Sequence, residues 1–255
     1  MPELNKQELE LKVKEMYTKV AQSPFAQYHF EMGSSLAEKL GYLGNDLNKI
    51  PQESIDSFAG VGYYFDLAAI KEGEKVLDLG SGSGMDSFIA ALKVGKNGKI
   101  VGLDMTDAQL EKAEKLGKQN NFSNVFFQKG YIELLPFKEN SFDVVISNGV
   151  INLSPNKGKV FKEISRVLKQ AGRMAISDIV SEKQLSEGIS CNTTNWASCI
   201  GGAMQEDAYK AAIQNAGMQI KQIKTNSNYG FLSKSAQGAS KDFGIKSVSL
   251  LAVKK

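Results

Sequence analysis

The sequence is poor in several residue types, and each shortage excludes a class of protein. Only two of its 255 residues are cysteine. That is too few for the disulfide framework of a small secreted domain, so we expect a reducing compartment. The single histidine, His29, cannot form a metal site alone, because such a site needs several ligands. The formal net charge is only +3. Lysines and arginines are dispersed among acidic residues, without the basic block that nucleic-acid binding requires.

Long hydrophobic runs are missing as well. No apolar stretch reaches the roughly 18 residues that a membrane-spanning helix needs. Residues 1–7 are polar and lack the apolar region of a secretory signal. We therefore expect a cytoplasmic protein that acts on a small molecule, with neither a nucleic acid nor a membrane as partner. The length suits one large α/β domain, and the sequence makes no prediction of oligomeric state.

The most informative segment is residues 75–84, Lys-Val-Leu-Asp-Leu-Gly-Ser-Gly-Ser-Gly. Its apolar half is short and bounded by turn residues, which is typical of a buried parallel strand. The glycines that follow, Gly80, Gly82 and Gly84, allow left-handed backbone angles and a close approach to a ligand. Residues 85–92 then show helical spacing. A glycine-rich turn between a strand and a helix predicts a nucleotide-binding site.

Two carboxylates help to identify the nucleotide. A dinucleotide turn has the spacing G-x-G-x-x-G and places a pyrophosphate at the helix N-terminus. Here the spacing is G-x-G-x-G, and Asp78 precedes the first glycine by two positions. A carboxylate there repels a pyrophosphate but suits the ammonium group of S-adenosylmethionine (SAM). Asp104 ends the next predicted strand, where an acid binds ribose hydroxyls. The alternative is an ordinary tight turn, and the two acids favour a SAM site.

Strands and helices alternate from Lys75 onward, which indicates a parallel, doubly wound sheet. The predicted strands cover residues 75–79, 99–104, 125–129, 142–147, 172–178, 218–225 and 247–254. The predicted helices of this region cover residues 85–94, 107–120, 157–168 and 205–216. Two earlier helical segments, at 7–22 and about 34–39, precede the sheet. We expect residues 1–60 to form a helical lid across the carboxyl edge of the sheet.

The sequence also resembles a known family. The segments that carry the resemblance are VLDLGSGSG, VGLDMT, GYIELLPF, FDVVISNGVINLSP and EISRVLKQAGRMAISDIV. Together they resemble class I SAM-dependent methyltransferases over about residues 55–255. The shorter motifs DMTDAQL, GYIE, SNGVINLSP and SCIGGA are similar to arsenite methyltransferases.

That resemblance implies the architecture of the chain. It implies a Rossmann-like, doubly wound, seven-stranded and mostly parallel sheet, which the two late strands close as an antiparallel β-hairpin. Residues 61–255 would form the SAM-dependent methyltransferase domain, with an insertion on the substrate side near residues 180–204.

The cofactor-binding residues are predicted from their place at the carboxyl ends of strands, where ligands bind in an open α/β sheet. They are Asp78, Gly80, Ser81, Gly82, Gly84, Asp104, Met105, Thr106, Tyr131, Ile132, Glu133 and Ser147. The contact of residues 130–133 with the adenine ring is implied by the resemblance. For Met105 and Ile132 the alternative is plain core packing.

Two residues are candidates for the catalytic step. Methyl transfer is an in-line displacement, so the protein mainly orients the reactants and excludes water. A general base is needed only when the acceptor carries a proton. Asn148 follows the fourth strand, nearest the expected position of the transferred methyl group, and its alternative role is a turn former. His29 is a candidate general base above the cofactor, with a structural histidine as the alternative.

Candidate substrate contacts are Asn148 itself and residues of two other segments. Tyr63 and Tyr64 precede the first core strand, where they would either wall the sulfonium by cation–π contact or be buried in the core. Trp196 and Cys199 lie in the insertion where the resemblance places substrate contacts.

The cysteines separate this chain from the arsenite methyltransferases it resembles. That family holds As(III) with converging thiolates, because the ion is soft. The resemblance places family cysteines at positions that are Val61 and Gly149 here, and only Cys199 matches one. Cys191 would lie roughly 12 Å from Cys199 along a shared helix. Burial as small hydrophobes is the alternative for both cysteines, and the sequence predicts that the thiol site is lost.

We therefore predict a SAM-dependent methyltransferase that acts on a small, partly apolar organic acceptor beneath the lid. Two alternatives stay open. One is a divergent arsenite or other metalloid methyltransferase that uses Cys199 and Cys191. The other is a SAM-binding protein without catalysis, which serves as a sensor or scaffold.

Overall fold

A single β-sheet forms the centre of the computed structural model, which describes residues 4–190, 196, 200–232 and 234–255. Its strands are β1 (Lys75–Leu79), β2 (Lys99–Asp104), β3 (Val125–Lys129), β4 (Phe142–Asn148), β5 (Leu168–Ser181), β6 (Met204–Gln205), β7 (Met218–Thr225) and β8 (Lys246–Lys254).

Helices flank the sheet and precede it. They are α1 (Lys6–Gln22), α2 (Gly33–Leu40), α3 (Gly44–Leu47), α4 (Gln52–Asp56), α5 (Phe65–Ala68), α6 (Met85–Val94), α7 (Asp107–Gln119), α8 (Lys157–Val167), α9 (Glu187–Ser190), α10 (Glu206–Asn215) and α11 (Lys234–Phe243), with a 3₁₀ helix at Ile151–Leu153. Across the described ranges, none of the helices combines the length and the apolar character needed to cross a bilayer.

The strand order is β3-β2-β1-β4-β5-β8-β7, and the short β6 pairs with the end of β5. Strands β1 to β5 run parallel to one another, whereas β8 is antiparallel to both β5 and β7. The predicted doubly wound, mostly parallel sheet is confirmed, with β6 as an additional strand of two residues. Because the chain leaves β1 on one side and returns as β4 on the other, a crevice opens at the carboxyl ends of these two strands.

Apolar side chains of the strands point alternately to the two faces of the sheet, and this divides the core into two layers. On one face, Val76 and Ile146 pack with Phe88 of α6 and with residues from the N-terminal helices. On the other face, Leu77 and Val145 pack with residues of α8 and α10. Successive side chains of a strand point to opposite faces, so continuous apolar strands require helices on both faces. This covering leaves the carboxyl edge of the sheet as the open side.

Most predicted elements match the structure closely, and the differences have physical reasons. β5 begins at Leu168 rather than 172, because Leu168 already pairs with Phe142 of β4, ahead of an irregularity between Phe142 and Val144. β7 and β8 pair as predicted, but α11 lies between them, so no tight hairpin connects the two strands. The sequence also misses α3, α4 and α5, each of which has too few residues to show a helical period.

Candidate functional site

The turn between β1 and α6, residues 80–84, has the conformation that its glycines predict. Gly80, Gly82 and Gly84 have φ angles of +67°, +52° and +92°, in the left-handed region that side chains disfavour. The Gly80 N–H donates to the Leu103 carbonyl at 2.7 Å, which ties the turn to β2. A Cβ atom at Gly80 would overlap the Val150 side chain. The turn therefore lies directly against the segment that follows β4.

A cavity of about 370 Å³ lies at the carboxyl ends of β1 and β4. Residues 80–83 of the glycine turn form one wall, and residues 58–60 and 130–133 form two others. Leu9 and Val13 of α1 line it from the N-terminal segment. Its volume falls in the range of small-molecule sites, and its position is the one at which open α/β sheets bind ligands.

Asp104 connects the two turns beside this cavity. One carboxylate oxygen accepts the Gly82 N–H at 2.9 Å, and the other accepts the Thr106 N–H at 2.9 Å. Burial raises the pKa of Asp104, and these backbone hydrogen bonds oppose the shift. The carboxylate is held in a fixed position on the cavity wall, with lone pairs left for further donors.

Two more acids, Asp78 and Asp86, are buried in the cavity wall. Asp78 accepts the Ser87 hydroxyl at 2.6 Å, and Asp86 accepts the hydroxyls of Tyr42 and Tyr64 at 2.7 and 2.6 Å. Burial, together with the nearby charge of Asp86, raises the pKa of Asp78 to about 8. Burial also raises the pKa of Asp86, against the effect of the two tyrosine hydroxyls. Both acids favour a proton or a cation nearby.

Asn148 lines the cavity with its side-chain amide engaged at both ends. Its Oδ1 atom accepts the Val61 N–H at 2.8 Å. Its Nδ2 atom donates to the Gly62 carbonyl and to the Tyr42 hydroxyl, both at 3.0 Å, and to Asp86 at 3.2 Å. Asn148 therefore holds the segment around Val61 against the end of β4.

Tyr131 joins α1 to the wall formed by residues 130–133. Its hydroxyl donates to Glu10 at 2.8 Å and accepts from the Lys14 ammonium at 2.9 Å. Lys14 also bonds Glu10 directly, and this hydrogen bond lowers the pKa of Glu10. Three side chains thus fasten the helix beside the cavity.

The remaining predicted cofactor residues divide into two groups. Met105, Thr106, Ile132 and Glu133 all line the cavity. Gly84 and Ser147 do not lie in the described wall. Ser147 is buried in the sheet, where its hydroxyl donates to the Leu79 carbonyl at 2.9 Å.

Comparison with known proteins assigns the chain to a family. A family model described as a methyltransferase domain matches residues 70–217. The chain is 30% identical to an arsenic(III) S-adenosylmethionine methyltransferase from Chlamydomonas reinhardtii, whose crystal structure superposes with a TM-score of 0.71 over 83% of this chain and 72% of that one. The chain belongs to the class I SAM-dependent methyltransferases, within their arsenite methyltransferase-like type.

Curated relatives of this methyltransferase act on more than one kind of acceptor. The chain is 39% identical over 193 residues to the arsenite methyltransferase of Halobacterium salinarum, and the match covers 76% of this chain and 49% of that protein. It is 31% identical over 166 residues to the ubiquinone/menaquinone biosynthesis C-methyltransferase of Haemophilus ducreyi, covering 63% and 64% of the two chains. The chain spans about half the length of the curated arsenite methyltransferases it matches. The predicted family and its cofactor, SAM, are confirmed.

The methyltransferase brings together two positions at which the resemblance places family cysteines. A Cβ atom built on Gly149 would lie 3.1 Å from Cγ1 of Val61. Val61 is buried in an apolar cluster with Ile179 and Ile200, outside the described cavity wall. Cys191 and Cys199 lie outside the residues that the structure describes. The fold therefore pairs the two positions, and in this chain neither offers a thiol.

The two tyrosines predicted as substrate contacts lie behind the cavity. Tyr64 is fully buried and donates to Asp86, so it reaches the cavity wall only through that acid. Tyr63 packs edge-on against the Tyr42 ring, with centroids 5.1 Å apart. Neither is among the described residues of the wall, and their contact with a substrate stays a prediction.

His29 and Trp196 also lie outside the described wall. His29 packs edge-on against the Phe30 ring at 4.7 Å between centroids. Trp196 is buried in a cluster with Leu9 and Val13, so it supports the α1 side of the cavity from behind. The catalytic role of His29 and the substrate contact of Trp196 stay predictions.

Sequence reasoning overlooks several residues of the wall, among them Asp86, Phe58 and Ser154. The sequence does give one signal for Asp86, because this residue is the acid in the first turn of a helix whose other residues are mostly apolar. Its partners Tyr42 and Tyr64 are distant in sequence, so their convergence on one carboxylate appears only in the fold.

Proposed function

We propose that this methyltransferase transfers the methyl group of SAM to a small, partly apolar organic molecule. The contact between positions 61 and 149 carries the proposal. A soft ion such as As(III) needs several converging thiolates, and these two positions hold a buried valine and a glycine. Apolar side chains in the cavity wall, including Val13, Phe58 and Val150, suit an organic acceptor.

The volume of the cavity, about 370 Å³, and the acids in its wall support SAM as its ligand. The Ser81 hydroxyl oxygen is buried in the wall without a hydrogen-bond partner among the described residues, as expected where a ligand completes the bonding. Asp78 would hold the ammonium group and Asp104 the ribose hydroxyls. Met105 and Ile132 would flank the adenine ring.

When bound, SAM supplies a sulfonium methyl group to a nucleophilic atom of the acceptor. The residues of the chain orient the acceptor and exclude water. Asn148 acts by position, because its amide holds the segment at Val61 and Gly62 beside the cavity. Where the acceptor carries a proton, Asp86 is suited to receive it, because burial raises the pKa of this carboxyl group and makes it a stronger base.

Arsenite methylation is the second candidate function. The names of the curated relatives favour it, and Cys199 occupies a position that matches a family cysteine. It would require Cys199 and Cys191 to bind the ion with fewer thiolates than that family uses.

The two candidates differ in their methylated product. Isotopically labelled SAM is supplied with As(III) in excess glutathione and, in parallel, with a panel of phenols and hydroquinones. Calorimetry first shows that the preparation binds SAM. We expect labelled organic product and no methylarsenic species, with Cys199→Ala behaving like the wild type. Methylarsenic that forms with the wild type and disappears in Cys199→Ala would establish the arsenite function instead.

A further inference from the structure

Lys157, the first residue of α8, is a lysine with only 4% of its surface exposed. A buried ammonium group is costly unless polar groups replace its lost water. The cavity wall does not include Lys157, although its neighbours Ser154 and Asn156 belong to that wall. The burial of this charge therefore needs its own explanation.

The ammonium group binds the backbone of the segment just before it. Nζ of Lys157 donates to the Asn152 carbonyl at 3.0 Å and to the Ser154 carbonyl at 2.9 Å. It also lies 4.8 Å from the ring centroid of Trp196, within cation–π distance. One side chain thus connects the end of the 3₁₀ helix, the turn into α8 and Trp196.

Acidic groups on other elements keep this lysine charged. Asp178 on β5 is buried and accepts the Tyr209 hydroxyl of α10 at 2.7 Å. Burial lowers the pKa of Lys157 to about 8, and the charges of Asp178 and Glu133 oppose that shift. Burial raises the pKa of Asp178 to about 6. At neutral pH both groups therefore carry a charge.

The fastened segment reaches the cavity through one hydrogen bond. The Ser154 hydroxyl donates to a carboxylate oxygen of Glu133 at 2.5 Å, and both residues line the cavity. Lys157 fixes the carbonyl of Ser154, and Ser154 in turn fixes the carboxylate of Glu133. The chain of contacts runs from a buried charge to the wall on which a ligand would lie.

We propose that Lys157 is a positioning residue, whose ammonium group sets the place of Ser154 and Glu133 in the wall of the SAM cavity. The inference rests on the proposed function in that it takes this cavity as the SAM site. A misplaced wall should weaken cofactor binding before any acceptor is involved. SAM affinity and the fluorescence of Trp196 therefore test it without knowledge of the acceptor.

The central variant is Lys157→Met, which keeps an unbranched chain and removes the charge and its donors. Its matched control is Lys162→Met, an exposed lysine of the same helix. By calorimetry, we expect Lys157→Met to weaken SAM binding by about tenfold, because two charge-assisted hydrogen bonds are lost. Lys162→Met should bind SAM like the wild type.

Trp196 is the single tryptophan of the chain, so the tryptophan emission reports on the surroundings of this ring, which include the Lys157 ammonium group. We expect ligand-free wild type to show an emission change as pH rises through about 8, when Lys157 loses its charge. Lys157→Met should lack that change. A merely structural loss of stability would not remove a titration from the spectrum.

A second variant covers the case in which Lys157→Met does not fold. Ser154→Ala breaks the bond to Glu133 and leaves Lys157 in place, so we expect weaker SAM binding with the emission titration retained. SAM affinity equal to the wild type in either folded variant would overturn the positioning role. If the wild type itself does not bind SAM, the proposed function fails, and that result is distinguishable.

Discussion

At the scale of single residues, the site depends on acids held in fixed positions by short hydrogen bonds. Asp78, Asp86 and Asp104 all lie in the cavity wall, and burial raises the pKa of each. Buried acids with raised pKa values are typical of functional sites, because burying a carboxyl group without a cationic partner does not stabilise the fold. They also make the folded protein sensitive to pH.

Asp78 gives the clearest prediction of that sensitivity. Its pKa rises from the ordinary value of 3.8 to about 8 on folding. Between these pH values the folded state keeps a proton that the unfolded chain has released, so the free energy of unfolding falls as pH rises. Asp78→Asn should flatten this dependence and raise the free energy of unfolding at pH 8 by roughly 5 kcal/mol, since each unit of pKa corresponds to about 1.4 kcal/mol.

The measurement is denaturant unfolding of both proteins without SAM at several pH values from 5 to about 8. Asp207→Asn changes an exposed acid of α10 and should leave the pH profile unaltered. A profile for Asp78→Asn that keeps the wild-type slope would show that Asp78 is ionised in the folded state.

Much of the site can be predicted at this scale, and the rest depends on long-range contacts. The spacing of Gly80, Gly82 and Gly84 predicts their left-handed backbone, which the structure confirms. Asp86 cannot be found in the same way, because Tyr42 and Tyr64 approach it from distant parts of the chain.

At the scale of elements, the strands are predictable where an apolar run ends at a glycine or an acid. The pattern places β1 and β2 at their observed bounds for this reason. It misses α11, whose sequence KSAQGASKDF contains a glycine and few apolar residues. Such a helix depends on packing, with Ala236 buried in the apolar cluster around Val61, and packing is not visible in a local pattern.

The position of α1 beside the cavity leads to a kinetic prediction. If α1 serves as a lid, the bonds of Tyr131 to Glu10 and Lys14 should slow the escape of SAM. Tyr131→Phe removes both, and we expect SAM to dissociate about threefold faster, since partly exposed polar bonds contribute modestly. Stopped-flow emission from Trp196, which packs against Leu9 and Val13 of α1, follows the release.

Tyr28→Phe provides the comparison for this experiment. It removes a tyrosine hydroxyl that bonds the Ser23 carbonyl away from the cavity, and its release rate should equal the wild-type rate. Equal rates for Tyr131→Phe and the wild type would mean that α1 does not gate the cavity.

At the scale of the whole molecule, the N-terminal segment is part of the core as well as a cover. Leu36, Tyr42 and Phe58 precede the sheet, yet they pack in one cluster with Phe88 and Ile89 of α6. Residues 1–60 are predicted as a lid, and their packing indicates that α1 and the later helices differ in importance for folding.

Two truncations separate these contributions. Removal of residues 1–23 should leave a cooperatively folded protein that has lost most of its SAM affinity, because only the α1 side of the cavity is missing. Removal of residues 1–60 should prevent folding, because it takes core side chains from the sheet. Circular dichroism melts and SAM calorimetry test both. A stable protein lacking residues 1–60 would establish the segment as a separable unit.

We propose the crevice between β1 and β4 as a SAM site whose wall includes Asp104. Calorimetric titration of SAM into wild type, Asp104→Ala and Asp107→Ala tests it directly. Asp107 is an exposed acid at the start of α7 and serves as the matched control. We expect Asp104→Ala to weaken SAM binding by about 100-fold and Asp107→Ala to leave it unchanged. Wild-type affinity in a folded Asp104→Ala protein would contradict it.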